Sequence, residues 1–360
     1  MSSSTEAIAA VSQRLEKFLL TQAEELSGWG DEAQTLHDVA VGALRGGKRL
    51  RARFLLAGFR ACGGTAERAD AATSVAAALE VFHAAALVHD DVIDNSDTRR
   101  GQPAAHRALA GAHAASGWTG DAEAFGRNGA ILLGDLLVAG SDDLVEAGLE
   151  GLPAATAQRA RAQYAQMRRE VTVGQFLDIA EEAAWITAPA DTHAERALRV
   201  ASLKSARYSV EQPLLIGASL ADADTAQRAA LAAFGHPVGM AFQLRDDVLG
   251  VFGDASVTGK PAGDDLREGK RTVLVAFARE ALDDDGRAAL DATLGDPALD
   301  DATVERMRRV LVDTGALDRV EELIAGYIAD ADRALAAAPL RVDALDELRA
   351  LAAASADRVT

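Results

Sequence analysis

Apolar residues recur at helical spacing along almost all of this 360-residue chain, and the pattern predicts nearly continuous helix. The first segment shows the logic. Ser3 and Glu6 have the spacing of a capping box, after which Ile8, Val11, Leu15, Phe18 and Leu19 trace one apolar stripe that should end near Ser27-Gly28. No alternating pattern of useful length marks a strand. Pro213 and Pro237 fall inside helical patterns, where a missing N–H and a bulky ring predict kinks. Three stretches read as loops: Gly111 to Gly129, Gly253 to Gly269, and Gly295 to Thr303. None has the character of a domain linker. The expectation is therefore an all-α fold, a large helical bundle around a central cavity, forming a single domain over residues 1–360.

Polar residues interrupt this pattern most tellingly at two aspartate clusters. His89-Asp90-Asp91-Val92-Ile93-Asp94 and Arg245-Asp246-Asp247-Val248-Leu249-Gly250 each follow a strongly apolar run, and each should close its helix. Their first aspartates are 246 − 90 = 156 positions apart, a spacing that suggests related halves of one bundle. On a helix, residues four apart share a face, so Asp90 and Asp94 can present two carboxylates to one ion, while Asp91 is turned away by roughly 100°. Acids grouped against an apolar interior stay ionised when cations compensate them. Hard oxygen donors of this kind select Mg²⁺ or Mn²⁺.

Charge and composition narrow the ligands. The formal net charge is −18, from 37 lysines and arginines against 55 aspartates and glutamates, which argues against nucleic acid as partner. Positive charge is nonetheless concentrated locally: Gly46-Gly47-Lys48-Arg49-Leu50-Arg51-Ala52-Arg53 packs four cations into six positions, and Arg99-Arg100 lies just past the first acidic cluster. The middle loop carries Lys260, with Lys270 and Arg271 at its far end, and is expected to act as a lid over a bound anion. The single cysteine, Cys62, excludes an internal disulfide. With no basic leader and no run of about 18 apolar residues, a cytoplasmic protein without a membrane span is expected.

Taken in order, Gly46-Gly47-Lys48-Arg49-Leu50-Arg51, the segment His83 to Asp94 with Arg99-Arg100-Gly101, Gly174-Gln175 with Asp178, Lys204-Ser205, Phe242-Gln243 with Asp246-Asp247, and Gly259-Lys260 through Gly269-Lys270 resemble the trans-isoprenyl diphosphate synthases over residues 40–280. The resemblance implies the isoprenoid synthase fold, usually homodimeric, and condensation of isopentenyl diphosphate with an allylic diphosphate: dimethylallyl, geranyl or farnesyl. It implies that Asp90 and Asp94 hold two Mg²⁺ ions and Asp246 a third, with Mn²⁺ able to substitute. Asp91 belongs to the same motif. Arg99, Lys204 and Lys260 would contact the allylic diphosphate. Lys48, Arg51, His83 and Arg100 would take the diphosphate of isopentenyl diphosphate, and Lys270 is counted among the substrate-binding groups. Gln175, Gln243 and Lys204-Ser205 would border the reacting carbons. Departures from the family pattern are Gly250 where many relatives have aspartate, with Asp254 nearby, Ser205 where threonine is usual, and Ala52 where proline is common.

The implied chemistry is ionisation, alkylation and elimination, with released pyrophosphate as the base. Counting back from Asp90, Ala86 and Ala85 lie just over one turn deeper and Phe82 about two turns deeper, at roughly 5.4 Å per turn. In the family a bulky aromatic at the Ala85 or Ala86 position tends to stop elongation at fifteen carbons. The two alanines thus point to a longer product, and Phe82 as a floor points to geranylgeranyl diphosphate; farnesyl and longer polyprenyl products are the alternatives. A terpene cyclase or head-to-head coupling enzyme would not need the Lys48, Arg51 and His83 set. A noncatalytic partner subunit would usually lack an intact first cluster.

Overall fold

The computed structural model describes residues 4–253, 263–296 and 298–356. Ser3, Asp254, Gly259 and Lys260 lie outside the described residues, and with them the proposed capping box and most of the expected lid. The described residues are mostly helical, joined by short turns, and their only strands are two residues each, paired in one antiparallel hairpin. It folds as two compact units, Met1–Arg161 with Ser219–Asp222, and Ala162–Ala218 with Ala223–Thr360.

The first unit holds α1 (Ser4–Leu26), α2 (Asp31–Leu44), α3 (Leu50–Ala61), α4 (Ala69–Ile93), the strands β1 (Thr98–Arg99) and β2 (Gln102–Pro103), α5 (Ala105–Ala115) and α6 (Ala122–Leu149). Helix α4 is its core: Val75, Leu79, Val81, Phe82, Ala85 and Val88 are buried, facing such α6 residues as Leu133 and Leu137. Burial of each large side chain contributes roughly 1.5–3 kcal/mol. The two helices also interlock through small residues. A Cβ on Gly134 would lie 2.0 Å from His89 Nε2, and Ser74 Oγ donates to the Leu144 carbonyl at 2.9 Å. By composition Ala66–Ile93 is long and apolar enough to cross a membrane, which sequence inspection did not anticipate; 78% of that window is buried inside the fold, so it serves here as a core helix.

The stretch from Gly111 to Gly129 is not one loop. Helix α5 runs to Ala115 and α6 starts at Ala122, leaving six residues between them. Its glycines serve packing instead: a Cβ on Gly126 would meet the His106 carbonyl at 2.2 Å. Trp118 caps the short turn, edge-on to His113 and Phe125.

Helix α7 (Ala154–Ala184) contains the boundary between the units. The second unit continues with α8 (His193–Val200), a π-helical stretch (Ala201–Glu211), α9 (Gln212–Leu220), α10 (Thr225–Phe252), α11 (Asp264–Glu268), α12 (Val273–Ala281), α13 (Asp284–Thr293), α14 (Asp301–Asp313), α15 (Ala316–Ala336) and α16 (Val342–Ala356). Leu244, Val248 and Val251 of α10 share a core with Leu274 and Phe277 of α12 and Val320 and Ile324 of α15. Helix α10 begins in a capping box between Asp224 and Gln227 and runs through Pro237 to Phe252. The second acidic cluster therefore lies inside its helix, with Phe252 six residues beyond Asp246, rather than closing it. Pro213 is the second residue of α9, which follows the π-helical stretch without a break. The last two expected loops are shorter than read, because α11 occupies part of one and α14 starts at Asp301.

Candidate active site

In the first unit the last turn of α4 decides where the carboxylates go. The helix ends with Asn95 in the left-handed region (φ 52°) and with Ser96 N–H donating to the Asp91 carbonyl at 2.9 Å, the arrangement of a Schellman cap. Asp90, Asp91 and Asp94 thus crowd the negative end of a 25-residue helix dipole, where cations are favoured. The three do not share one role. Asp91 is buried and accepts a hydrogen bond from Arg99 Nε at 2.9 Å, with a second contact from Nη2, whereas Asp90 and Asp94 are partly exposed. Burial pushes the Asp91 carboxyl above its ordinary range while the Arg99 hydrogen bonds oppose that rise. Arg99 Nη2 also lies 3.9 Å from Asp90 Oδ2.

Arg99 is brought there by the hairpin. Arg99 pairs with Gln102, leaving Arg100 and Gly101 as a two-residue turn with φ of 53° and 72°, the positive pair that a type I′ turn requires. The turn sends Arg100 across to the basic loop, where its Nη1 donates to the Arg45 carbonyl at 2.7 Å. A Cβ at Gly47, itself at φ 85°, would come within 3.1 Å of that guanidinium. Around partly buried His83, the guanidiniums of Arg51, Arg100, Arg99 and Arg49 are close enough that burial first, and their charge second, hold its imidazole well below its ordinary pKa. Burial and its arginine neighbours likewise depress Arg100. Such mutual repulsion is the signature of a site made for an anion. Lys48 is exposed at the edge of the same loop.

One residue that organises this cluster was missed in the sequence. Glu80, three positions before His83 and 4% exposed, accepts a hydrogen bond from Ala52 N–H at 3.0 Å and has Arg49 Nη1 3.7 Å from its other oxygen. Its signal was a lone charge inside the apolar run Ala77–Val88, read there simply as part of that run.

In the second unit one face of α7 receives the π-helical stretch. Glu170 accepts from Arg207 Nη1 at 3.0 Å and from Gln212 Nε2 at 2.7 Å, and Asp178 takes Lys204 Nζ at 2.6 Å. Between them Gly174 removes the side chain that would obstruct the backbone: a Cβ there would lie 2.4 Å from Lys204 N. Gly239 of α10 does the same at Ala206, 2.4 Å from its carbonyl oxygen. The glycines thus hold Lys204 and Ser205 on a π-helical turn, a device that recurs at functional sites. Along α10, Gln243 Nε2 donates to Asp247 Oδ1 at 2.7 Å, Asp247 is buried, and Asp246 is partly exposed. Burial, Asp265 and Asp246 together raise the Asp247 carboxyl well above its ordinary range. Asp265 Oδ2 would be 1.9 Å from a Cβ on Gly250, so the room beside Gly250 is taken by a carboxylate from α11. Lys270 is paired with Asp265 at 3.3 Å and Glu268 at 2.8 Å.

The polyprenyl synthetase model matches residues 33–311, from α2 through most of α14 and across every motif named above. The chain belongs to the polyprenyl synthetase family. As a member it is a prenyltransferase, and the isoprenoid synthase fold expected from the motifs is the one found. Among relatives, it is 34% identical over 295 residues to the geranylfarnesyl diphosphate synthase of Aeropyrum pernix, covering 82% of this chain and 84% of that one. It is 32% identical over 267 residues to the geranylgeranyl diphosphate synthase of Saccharolobus solfataricus, covering 74% and 73%. Among solved structures, the geranylgeranyl pyrophosphate synthase of Corynebacterium glutamicum, complexed with isoprenyl diphosphate and magnesium, superposes with a TM-score of 0.90 at 36% identity, covering 99% of this chain and 100% of that one. Within this polyprenyl synthetase, Asp90, Asp91, Asp94, Arg99, Arg100, Arg51 and His83 belong to the first unit's site, and Gln175, Lys204, Ser205, Gln243, Asp246 and Lys270 to the second unit. Phe82 and Ala85 are buried on α4 and Ala86 is partly exposed.

Proposed function

We propose that this polyprenyl synthetase condenses isopentenyl diphosphate with an allylic diphosphate, head to tail and with trans geometry, and releases geranylgeranyl diphosphate. The observation that carries this reading is the pairing, on one helix, of outward carboxylates at Asp90 and Asp94 with a cluster of guanidiniums around His83. One set suits divalent cations and the other a diphosphate. The donor set fits Mg²⁺: hard oxygens four residues apart at a helix C-terminus, and in the second unit a group of carboxylates in which burial, with Asp265 and Asp246 beside it, raises the Asp247 carboxyl. Asp90, Asp94 and Asp246 would hold the ions, about three per site, with Mn²⁺ able to replace them. Bound Mg²⁺ would neutralise charge developing on the departing pyrophosphate.

The chain's own residues do the rest. Arg99, kept in place by Asp91, and Lys204, kept in place by Asp178, bind the allylic diphosphate; Lys260 is assigned with them from its motif. Lys48, Arg51 and Arg100 bind the second diphosphate, and His83, neutral at physiological pH, offers it a hydrogen bond without adding charge. Removal of the final proton falls to the released pyrophosphate. Ala85 and Ala86 leave room for the growing chain and Phe82, one turn beneath Ala86, closes it. A homodimer in the cytoplasm completes the reading; Ile131 and Leu132 of α6, 44% and 63% exposed, supply apolar surface that a second copy would cover.

The test is incubation of purified protein with Mg²⁺, isopentenyl diphosphate and, separately, five-, ten- and fifteen-carbon allylic diphosphates, with products sized by mass spectrometry. A twenty-carbon product is expected, and Phe82→Ala should lengthen it. Products of thirty carbons or more from the wild type would remove Phe82 as the floor. No elongation from any starter would reject the condensation.

A further inference from the structure

The carboxylate of Glu80 lies ten residues before Asp90, at the opposite side of His83 from the metal-binding turn, and the assignments above give it no part in the reaction. It is nevertheless placed with care. Leu50, Arg51 and Ala52 form the first turn of α3, whose N–H groups have no partner within that helix. The residue preceding the helix, Arg49, sits in the left-handed region at φ 51° and supplies no side-chain cap. Glu80 supplies one from α4 instead, accepting from Ala52 N–H at 3.0 Å, and its negative charge faces the positive end of the α3 dipole. Its second oxygen faces Arg49 Nη1 at 3.7 Å, while Arg49 Nη2 donates to the Leu44 carbonyl at 2.8 Å at the end of α2. One buried carboxylate therefore fixes the junction of α2, the basic loop and α3, which is the stretch that carries Lys48, Arg49 and Arg51.

Asp91, eleven residues further along α4 and on nearly the same face, does for Arg99 what Glu80 does for this loop. The helix thus carries two kinds of acid. Those left partly exposed, Asp90 and Asp94, suit metal ions, and those buried, Glu80 and Asp91, aim arginines.

We propose that Glu80 is a positioning residue for the site of isopentenyl diphosphate: it sets the pitch of the α3 N-terminus and the heading of Arg49, and through them the arginine cluster that discriminates this diphosphate from the allylic one. This rests on the condensation reading given above. It assigns Glu80 no contact with substrate.

The experiment measures KM for each substrate separately, at saturation of the other, for the wild type, Glu80→Gln, Glu80→Ala and a control, Ser74→Ala, which removes a buried hydrogen bond of the same helix to Leu144 far from the loop. Glu80→Ala should raise KM for isopentenyl diphosphate roughly tenfold or more, with KM for the allylic diphosphate within about twofold of wild type. Glu80→Gln, which keeps an oxygen for Ala52 N–H and loses the charge facing Arg49, should fall between. Ser74→Ala should lower the melting temperature and leave the ratio of the two KM values unchanged. Equal changes in both KM values, or a ratio that moves as much in Ser74→Ala, would overturn the assignment while leaving the condensation standing. Failure of the wild type to elongate any starter would overturn both.

Discussion

The two acidic clusters look alike in sequence and differ in what surrounds them. On α4 the second aspartate, Asp91, is buried against Arg99, and the neighbouring loop and hairpin bring in Arg49, Arg51 and Arg100. On α10 the second aspartate, Asp247, is buried against Gln243 and close to Asp246 and Asp265, with Lys270 the nearest compensating cation named. The α4 cluster is therefore faced by several arginines, whereas Asp247 on α10 is faced by two carboxylates and by Lys270. Identical Asp-Asp pairs become an arginine holder in one place and part of a crowded group of carboxylates in the other. The lesson is that such a motif gives the spacing of its carboxylates, while the partners decide which of them is buried and which stays partly exposed.

The sharpest way to break this comparison is to remove the first aspartate of each pair. Asp90→Asn and Asp246→Asn should each lower kcat by about 10²–10³-fold, the scale of losing one preorganised electrostatic group at a reacting centre. A near-wild-type rate for either, in Mg²⁺ at saturating substrates, would mean that its cluster does not serve the chemistry. The second aspartates should then part company. Asp91→Ala removes the buried carboxylate that takes two contacts from the partly exposed Arg99 and should cost about 1–3 kcal/mol of stability, read from urea denaturation in the presence of a chelator. Asp247→Asn, in the same assay, removes a carboxylate crowded by two others and should stabilise the metal-free protein by about 0.5–1 kcal/mol. Equal signs for the two substitutions would erase the distinction between the clusters.

The smallest effect concerns His83. Its folded pKa is depressed, so the neutral ring contributes stability that is present above the unfolded value near 6.5 and is lost as the pH falls towards the folded value. His83→Gln should flatten the decline in unfolding free energy between pH 7 and pH 5 relative to wild type. An unchanged slope would show that burial and the neighbouring arginines do not hold that ring neutral.

Much of the fold was legible because helical periodicity is a local property: α1, α4 and α10 lie where their apolar stripes put them. The errors came where a residue has two uses. Gly126, inside a stretch read as loop, sits where α6 must approach α5 closely, as Gly134 and Gly148 do towards α4. The aspartate pairs and the basic runs stood out in the sequence, and the structure brings Arg51, Arg99 and Arg100 around His83. The division of labour between Asp90 and Asp91 was not legible, since it depends on a hairpin turn at Arg100-Gly101 folding back across eight residues. Glu80 was invisible for a related reason: a carboxylate that caps a helix 28 positions earlier leaves no local trace. Gly250 could be seen as a departure, but that Asp265 fills its place needed the path of α11.

Helix α4 also has a history before it has a role. The ribosome completes it at Ile93, and the helix that covers it, α6, ends at Leu149, 149 − 93 = 56 residues later. At roughly 5–20 residues per second, an apolar helix long enough to pass for a membrane span waits about 3–11 s of each synthesis for the helix that covers its α6 face. The same low polarity that gives the finished fold its buried core leaves this segment, while it waits, open to chaperones, to stray insertion and to aggregation.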